Sequence, residues 1–191
     1  HGQIVHLFER DCSIQRRHQK VIEESPSPFI SQETRASICA AAVRAAEYVQ
    51  YSGVGTVEFI MGEDETFYFL EMNTRIQVEH PVTEECVGVD LVALQFSIAE
   101  GNRLSLKQED IKQQKAALEF RIYAEDPQSF LPSPGKVTRY ERWQQEGVRY
   151  DDAIEGEITI TPFYDPMIAK VIVSGSTRDE ALALAEQALQ N

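Results

Sequence analysis

Apolar and polar residues alternate over residues 3–9 and 13–22, which predicts two strands, the second loaded with Arg16, Arg17, His18 and Lys20. Ser25-Pro26-Ser27-Pro28 interrupts regular structure. From about Gln32 to Gln50, Ile38, Ala41, Ala42, Ala45, Ala46 and Val49 recur at helical spacing, with Ser31 as N-cap and Gly53 as the stop. Strands are expected over 54–61 and 66–78, joined by Gly62-Glu63-Asp64-Glu65, with Pro81 ending the second. Leu91, Leu94 and Ile98 predict a helix over 90–100 that stops at Gly101. Beyond the charged connector SLKQEDIKQQK come short strands near 117–124, 136–140, 158–160 and 168–174. A last helix starts near Thr177, where Ser176 and Asp179 have capping-box spacing. The change of character places a subdomain boundary near Lys115, and no internal repeat is present. The opening HGQIVHLFERDC reads as the return strand of a hairpin whose first strand is missing, and the chain stops within a helical pattern, ALALAEQALQN.

One stretch stands out. Along a strand, side chains alternate between faces, so Glu71, Asn73, Arg75, Gln77 and Glu79 of EMNTRIQVEH are expected to share one face, with Met72, Ile76 and Val78 on the other. Phe67-Tyr68-Phe69-Leu70 just before it is typical of a strand buried on both sides. An even hairpin loop centred between Asp64 and Glu65 brings Glu58 onto the face of Glu71, whereas an odd loop separates the two. Paired carboxylates repel unless a cation lies between them. Mg²⁺ commonly takes one or two protein carboxylates and completes its shell with water and phosphate. The pattern therefore fits a metal-phosphate site or, alternatively, an exposed or salt-bridged pair.

Charge limits the partners. The formal net charge is −13, which excludes broad attraction to nucleic acid or anionic lipid, so a bound anion needs a local basic cluster or a metal. Gln15-Arg16-Arg17-His18-Gln19-Lys20 is such a cluster, and its alternative is a solvated charge run. No apolar run is long enough to cross a membrane, and no export signal is visible. Cys12, Cys39 and Cys86 form neither a disulfide framework nor a zinc pattern, and are expected to be free thiols in a reducing cytoplasm. Neither a Walker loop, a Ser/His/Asp order nor a dinucleotide fingerprint occurs; Gly53-Val54-Gly55 alone is weak.

ERDCSIQRRHQKVIEE, GTVEFIMGEDETFYFLEMNTRIQVEHPVTEE and FRIYAEDPQSFLPSPGKV resemble the biotin carboxylase component of biotin-dependent carboxylases, an ATP-grasp enzyme, and the resemblance runs through essentially the whole chain. It implies an α+β fold: the C-terminal part of an ATP-grasp domain, an antiparallel sheet with helices, over 1–115, then a smaller, truncated β-rich C-terminal subdomain over 116–191. It also implies ATP-dependent carboxylation of carrier-linked biotin by bicarbonate through carboxyphosphate. By motif position, Gln15 and His18 contact ATP; Glu58 and Glu71 hold Mg²⁺ or Mn²⁺ with ATP, and Asn73 assists. Lys20, Arg75, Gln77 and the backbone of Val78 hold bicarbonate. Glu79 is its general base, and Arg121 stabilises the biotin enolate.

These residue types suit the chemistry. Fixed cations orient a poor nucleophile, a carboxylate takes its proton, and an arginine stays charged beside a developing enolate. The implied partners are a biotin carboxyl carrier protein or domain, a second copy of the chain and a carboxyltransferase subunit; the implied setting is cytoplasmic fatty acid metabolism. Pro81 after NTRIQVEH points to the acyl-CoA carboxylase type. The family's N-terminal domain, glycine-rich lid and further ATP lysines precede the point where this sequence begins, so these residues alone are expected to bind ATP weakly and not to turn over. Two other readings are another ATP-grasp carboxylate ligase, which should lack RIQVEH together with RRHQK, and a non-catalytic dimerisation or carrier-docking module.

Overall fold

The computed structural model describes residues 2–190; His1, and the end of the last predicted helix at Asn191, lie outside the described residues. The chain forms two compact units, each described by itself. One contains the residues up to Asp11 together with Ser25–Lys115, and the other contains Cys12–Glu24 together with the residues from Ala116 onward. The architecture is mixed, with four helices and antiparallel sheets among the described residues.

In the second unit, the residues expected to make one strand make a hairpin, β1 (Asp11–Arg16) and β2 (Gln19–Ser25). Arg17 and His18 form its turn, both with positive φ, 51° and 65°. Two left-handed residues are what a tight two-residue hairpin requires, but the usual Asn-Gly signature is absent, so the turn leaves no mark in the sequence. β5 (Ala116–Tyr123), β7 (Val148–Asp152) and β9 (Met167–Gly175) complete a sheet ordered β1-β2-β5-β9-β7, and β6 (Gly135–Val137) pairs with β8 (Ile158–Ile160). The expected segment at 136–140 is thus shorter, and β7 was not anticipated.

β5 and β9 place Leu118 opposite Val173 and Phe120 opposite Val171, all on one face. Helix α4 (Arg178–Gln190) lays Ala181, Ala185 and Ala188 against Leu118, Val171 and Val173, with Ile22, Trp143 and Leu184 at the margin. Alanines at this spacing let the helix lie close to the sheet. Its capping box is one residue later than expected: Glu180 N–H donates to Thr177 Oγ1 at 3.2 Å, and Ser176 N–H donates to Glu180 Oε2 at 2.9 Å.

In the first unit, α1 (Gln32–Tyr48) starts at its Ser31 cap but ends before Gln50, whose φ of 52° reverses the chain two residues earlier than predicted. Its buried residues are Arg35 and Cys39; Ile38, Ala41, Ala42, Ala45 and Ala46 of the expected stripe are half-buried, while Val49 is exposed. Arg35 can lie inside because Glu9 Oε1 accepts from its Nε at 2.9 Å and Ser27 O accepts from its Nη2 at 2.9 Å. Burial pushes the Cys39 thiol up to about 11, so it stays protonated.

Strands β3 (Thr56–Met61) and β4 (Phe67–Asn73) form a two-stranded sheet. Tyr68, Phe69 and Leu70 are each about three-fifths exposed, at 63, 60 and 59%, so the expectation of a strand covered on both sides does not hold here. Gly55 supports packing rather than phosphate binding, since a Cβ there would lie 2.8 Å from the Tyr51 ring. Helices α2 (His80–Val87) and α3 (Leu91–Ala99) bury Val82, Cys86, Val87 and Leu91, and Glu84 Oε1 accepts from Leu91 N–H at 2.8 Å to join them.

The predicted strand at residues 3–9 is irregular. Its polar groups bond across the chain instead, with Gln3 Nε2 donating to Leu106 O and His6 N–H to Gln108 Oε1. An alternating pattern without a partner strand makes no ladder.

Leu118→Ala should destabilise the chain by about 2–5 kcal/mol, because Val173 and the α4 alanines cannot close the gap; urea unfolding measures the loss.

Candidate active site

The tip of the β3–β4 hairpin has an odd loop: Met61 pairs with Phe67, leaving five residues between them. By the sequence argument this should separate the two glutamates. The register, however, shifts between Glu58 and Phe59, whose partners are Glu71 and Phe69, so Leu70 is an extra residue bulged out of β4. The bulge returns Glu71 to a position directly opposite Glu58. Asn73 completes the cluster, its Nδ2 donating to Glu58 Oε1 at 3.2 Å and to Glu71 Oε1 at 3.1 Å. An amide thus holds two like charges that would otherwise destabilise the hairpin by up to about 1 kcal/mol.

Beyond Asn73 the expected strand face is not formed. β4 ends there, and Arg75, Gln77, Val78 and Glu79 occupy a short connection into α2, with Pro81 inside the first turn of that helix instead of terminating a strand. The tight connection still gathers them. Arg75 Nη2 donates to Asn73 Oδ1 at 3.3 Å and its Nη1 to Ile76 O at 3.1 Å; Gln77 Nε2 donates to Glu58 Oε1 at 2.7 Å. Gln77 and Glu79 are only 6 and 2% exposed, whereas Arg75 remains exposed. Glu79 stands at the N-cap of α2, yet its side chain makes no capping hydrogen bond.

Sequence reasoning missed Arg10. Its Nη2 donates to Gln77 Oε1 at 2.5 Å and to Thr56 Oγ1 at 3.2 Å, while Nη1 donates to Thr83 Oγ1 at 2.9 Å. One guanidinium thereby joins the start of β3, the connection and α2. Nothing in its local sequence announces this, since the partners lie 46 to 73 positions away.

The other residues singled out in the sequence belong to the second unit, described by itself. Gln15 and His18 are exposed on the β1–β2 hairpin, and Lys20, half-buried, is the second residue of β2. Gln15 Nε2 donates to Cys12 O. Arg16 anchors the hairpin: its Nη2 is 2.5 Å from Glu125 Oε2, and its guanidinium lies over the Phe130 ring, 4.6 Å from the centroid. Arg121 on β5 meets Glu23 on β2, a completely buried carboxylate. Burial pushes the nearby Tyr123 hydroxyl up, partly offset by the hydrogen bond and charge of Arg121.

The donors fit a hard divalent cation. Glu58 and Glu71 supply carboxylate oxygens from facing positions, and a half-turn of the Asn73 amide offers a third oxygen. Among the described residues, no group of three or more His, Cys, Asp or Glu side chains is arranged to hold a metal ion.

Residues 1–107 match the family described as carbamoyl-phosphate synthase L chain, ATP binding domain, and residues 119–191 match the biotin carboxylase C-terminal domain. The chain is 57% identical over 191 residues to a Bacillus subtilis (strain 168) protein named biotin carboxylase 2, covering all of this chain and 43% of that one. It is 51% identical over 189 residues to a component of the pyruvate carboxylase of Methanothermobacter thermautotrophicus, covering 98 and 38%. A crystal structure of the biotin carboxylase domain dimer of Hydrogenobacter thermophilus 2-oxoglutarate carboxylase, in complex with MgADP, ADP and bicarbonate, superposes with a TM-score of 0.96 at 46% identity, covering 100 and 42%.

Fold and family matches therefore define the class, an ATP-grasp domain. The chain belongs to the biotin carboxylase family and spans less than half the length of the relatives it matches. No helix among the described residues is long and apolar enough to cross a membrane.

Arg10→Met should lower the stability of the chain by roughly 2–4 kcal/mol, because it leaves Gln77, Thr56 and Thr83 without their donor; the shift of the urea midpoint reads it.

Proposed function

We propose that the chain is the part of a full-length biotin carboxylase that binds metal, phosphate and bicarbonate and stabilises the biotin enolate, with residues 1–115 part of its ATP-grasp domain and 116–191 its C-terminal subdomain. The observation that carries this reading is the cluster Glu58, Glu71, Asn73, Arg75 and Gln77, in which carboxylates, amides and an exposed guanidinium occupy one hydrogen-bonded network.

Glu58 and Glu71, with Asn73, would hold Mg²⁺ or Mn²⁺, and Gln15 and His18 would contact the nucleotide. The cation, when bound, offsets charge on the transferring phosphoryl group. Arg75, Gln77, Lys20 and the backbone of Val78 orient bicarbonate as the nucleophile. Glu79, buried beside them in the chain, takes the bicarbonate proton as its oxygen attacks the γ-phosphorus and ADP leaves. The resulting carboxyphosphate breaks down to CO₂ and phosphate; the phosphate takes the N1′ proton of biotin, and N1′ of the enolate captures the CO₂. Arg121 stabilises the oxygen that carries the enolate charge, and its guanidinium stays protonated throughout.

The carboxylated biotin belongs to a carrier protein or domain and passes to a carboxyltransferase. Pro81 supports α2 at its first turn, a role that any acceptor class tolerates, and relatives include proteins named for pyruvate and 2-oxoglutarate. The proposal therefore covers the biotin half-reaction and not the acyl acceptor.

Arg75→Ala in the full-length enzyme should reduce biotin carboxylation by about 100-fold or more with the fold intact by circular dichroism; undiminished activity at ordinary bicarbonate removes Arg75 from its role. The Glu58→Gln/Glu71→Gln pair should weaken Mg·ATP binding by at least about tenfold in a calorimetric titration, and unchanged binding rules out the metal assignment.

A further inference from the structure

We infer that Glu23 is the positioning residue of Arg121. β5 places Arg121 directly opposite Lys170 of β9, so two cations face each other across the ladder. Each has its own carboxylate. Lys170 Nζ lies 3.4 Å from Asp151 Oδ2 on β7, the strand beyond, while Arg121 turns the other way, toward β2. There, one oxygen of Glu23 accepts from two guanidinium nitrogens, from Nε at 2.8 Å and with Nη2 at 2.6 Å.

Gripping the Nε–Nη2 edge fixes the guanidinium plane, which a single contact to one terminal nitrogen does not. Glu23 can enforce that orientation because it does not move. It is 0% exposed, on the strand next to β5, and its neighbour Glu24 is tied to Arg178 at the start of α4, 2.7 Å from Oε2 to Nε. Arg121, 13% exposed at its side chain, keeps limited access to solvent. A buried carboxylate on β2 thus orients an arginine on the neighbouring central strand.

The inference rests on the reading of Arg121 given above, and it separates the two halves of the reaction. Bicarbonate activation should not need Glu23; enolate stabilisation should. In the full-length enzyme with free biotin as substrate, Glu23→Gln should lower kcat by about 10–100-fold. The KM for ATP and for bicarbonate, and bicarbonate-dependent ATP cleavage without biotin, should change less than about twofold. Glu23→Asp keeps the charge and should recover part of the loss; it reads the same split if the glutamine variant folds poorly.

On an Arg121→Gln background, Glu23→Gln should add no further loss in kcat, since it acts only through the arginine. Equal loss of both reactions, additive losses, or an unaltered kcat in Glu23→Gln overturns the inference. If Arg121→Gln itself leaves biotin carboxylation intact, the reading of Arg121 fails as well; if only the Glu23 variants are silent, that reading stands.

Discussion

The register of one short hairpin is the constraint on which the acidic cluster depends. Glu58 and Glu71 face each other only if the extra residue of an odd loop is taken up before the ladder reaches them. Leu70 takes it up by bulging from β4. Everything downstream inherits that register. Asn73 lies between the carboxylates because β4 resumes its pairing after the bulge, Thr56 facing Asn73, and Arg75 and Gln77 then reach back to Asn73 and Glu58 from the connection that follows.

The Glu58–Glu71 cluster of the first unit and the larger sheet of the second manage charge differently. In the first, an amide-rich network separates carboxylates, with Asn73 and Gln77 both donating to one oxygen of Glu58. Neutral amide donors are easily displaced or turned, which is the property the proposed cation and bicarbonate roles require. In the second, charge is held by ion pairs: Arg121 with Glu23 and Lys170 with Asp151 across the ladder, and Arg178 of α4 with Glu24. Removing one member of a buried pair such as Arg121 and Glu23 strands the other, so this arrangement resists rearrangement. The hairpin bearing Gln15, His18 and Lys20 is secured by the same kind of device, Arg16 against Glu125 and Phe130.

Several elements could be read directly from the residue pattern. Helical spacing identified α1 and α3, and Ser31 and Gly101 marked ends that local backbone chemistry dictates. β4 was extended five residues too far because Arg75, Gln77 and Glu79 continue a polar alternation that has no partner strand beyond Asn73. α2 was missed because a single Pro81 looks like a terminator, although proline is accepted in a helix's first turn, where its absent N–H has no intrahelical partner in any case.

Sequence alone determined which residue types are present and their local preferences: the strongly acidic chain, the one basic cluster, the EMNTRIQVEH run, and the pairing of Glu58 with Glu71 as one of two registers. Tertiary structure decided between those registers, through a bulge whose signal is no particular residue. It also recruited Arg10 and Glu23, whose partners lie 67 and 98 positions away. Local pattern reports what a residue prefers over a few neighbours; a guanidinium meeting a distant carboxylate or amide is set by the folded path of the whole chain.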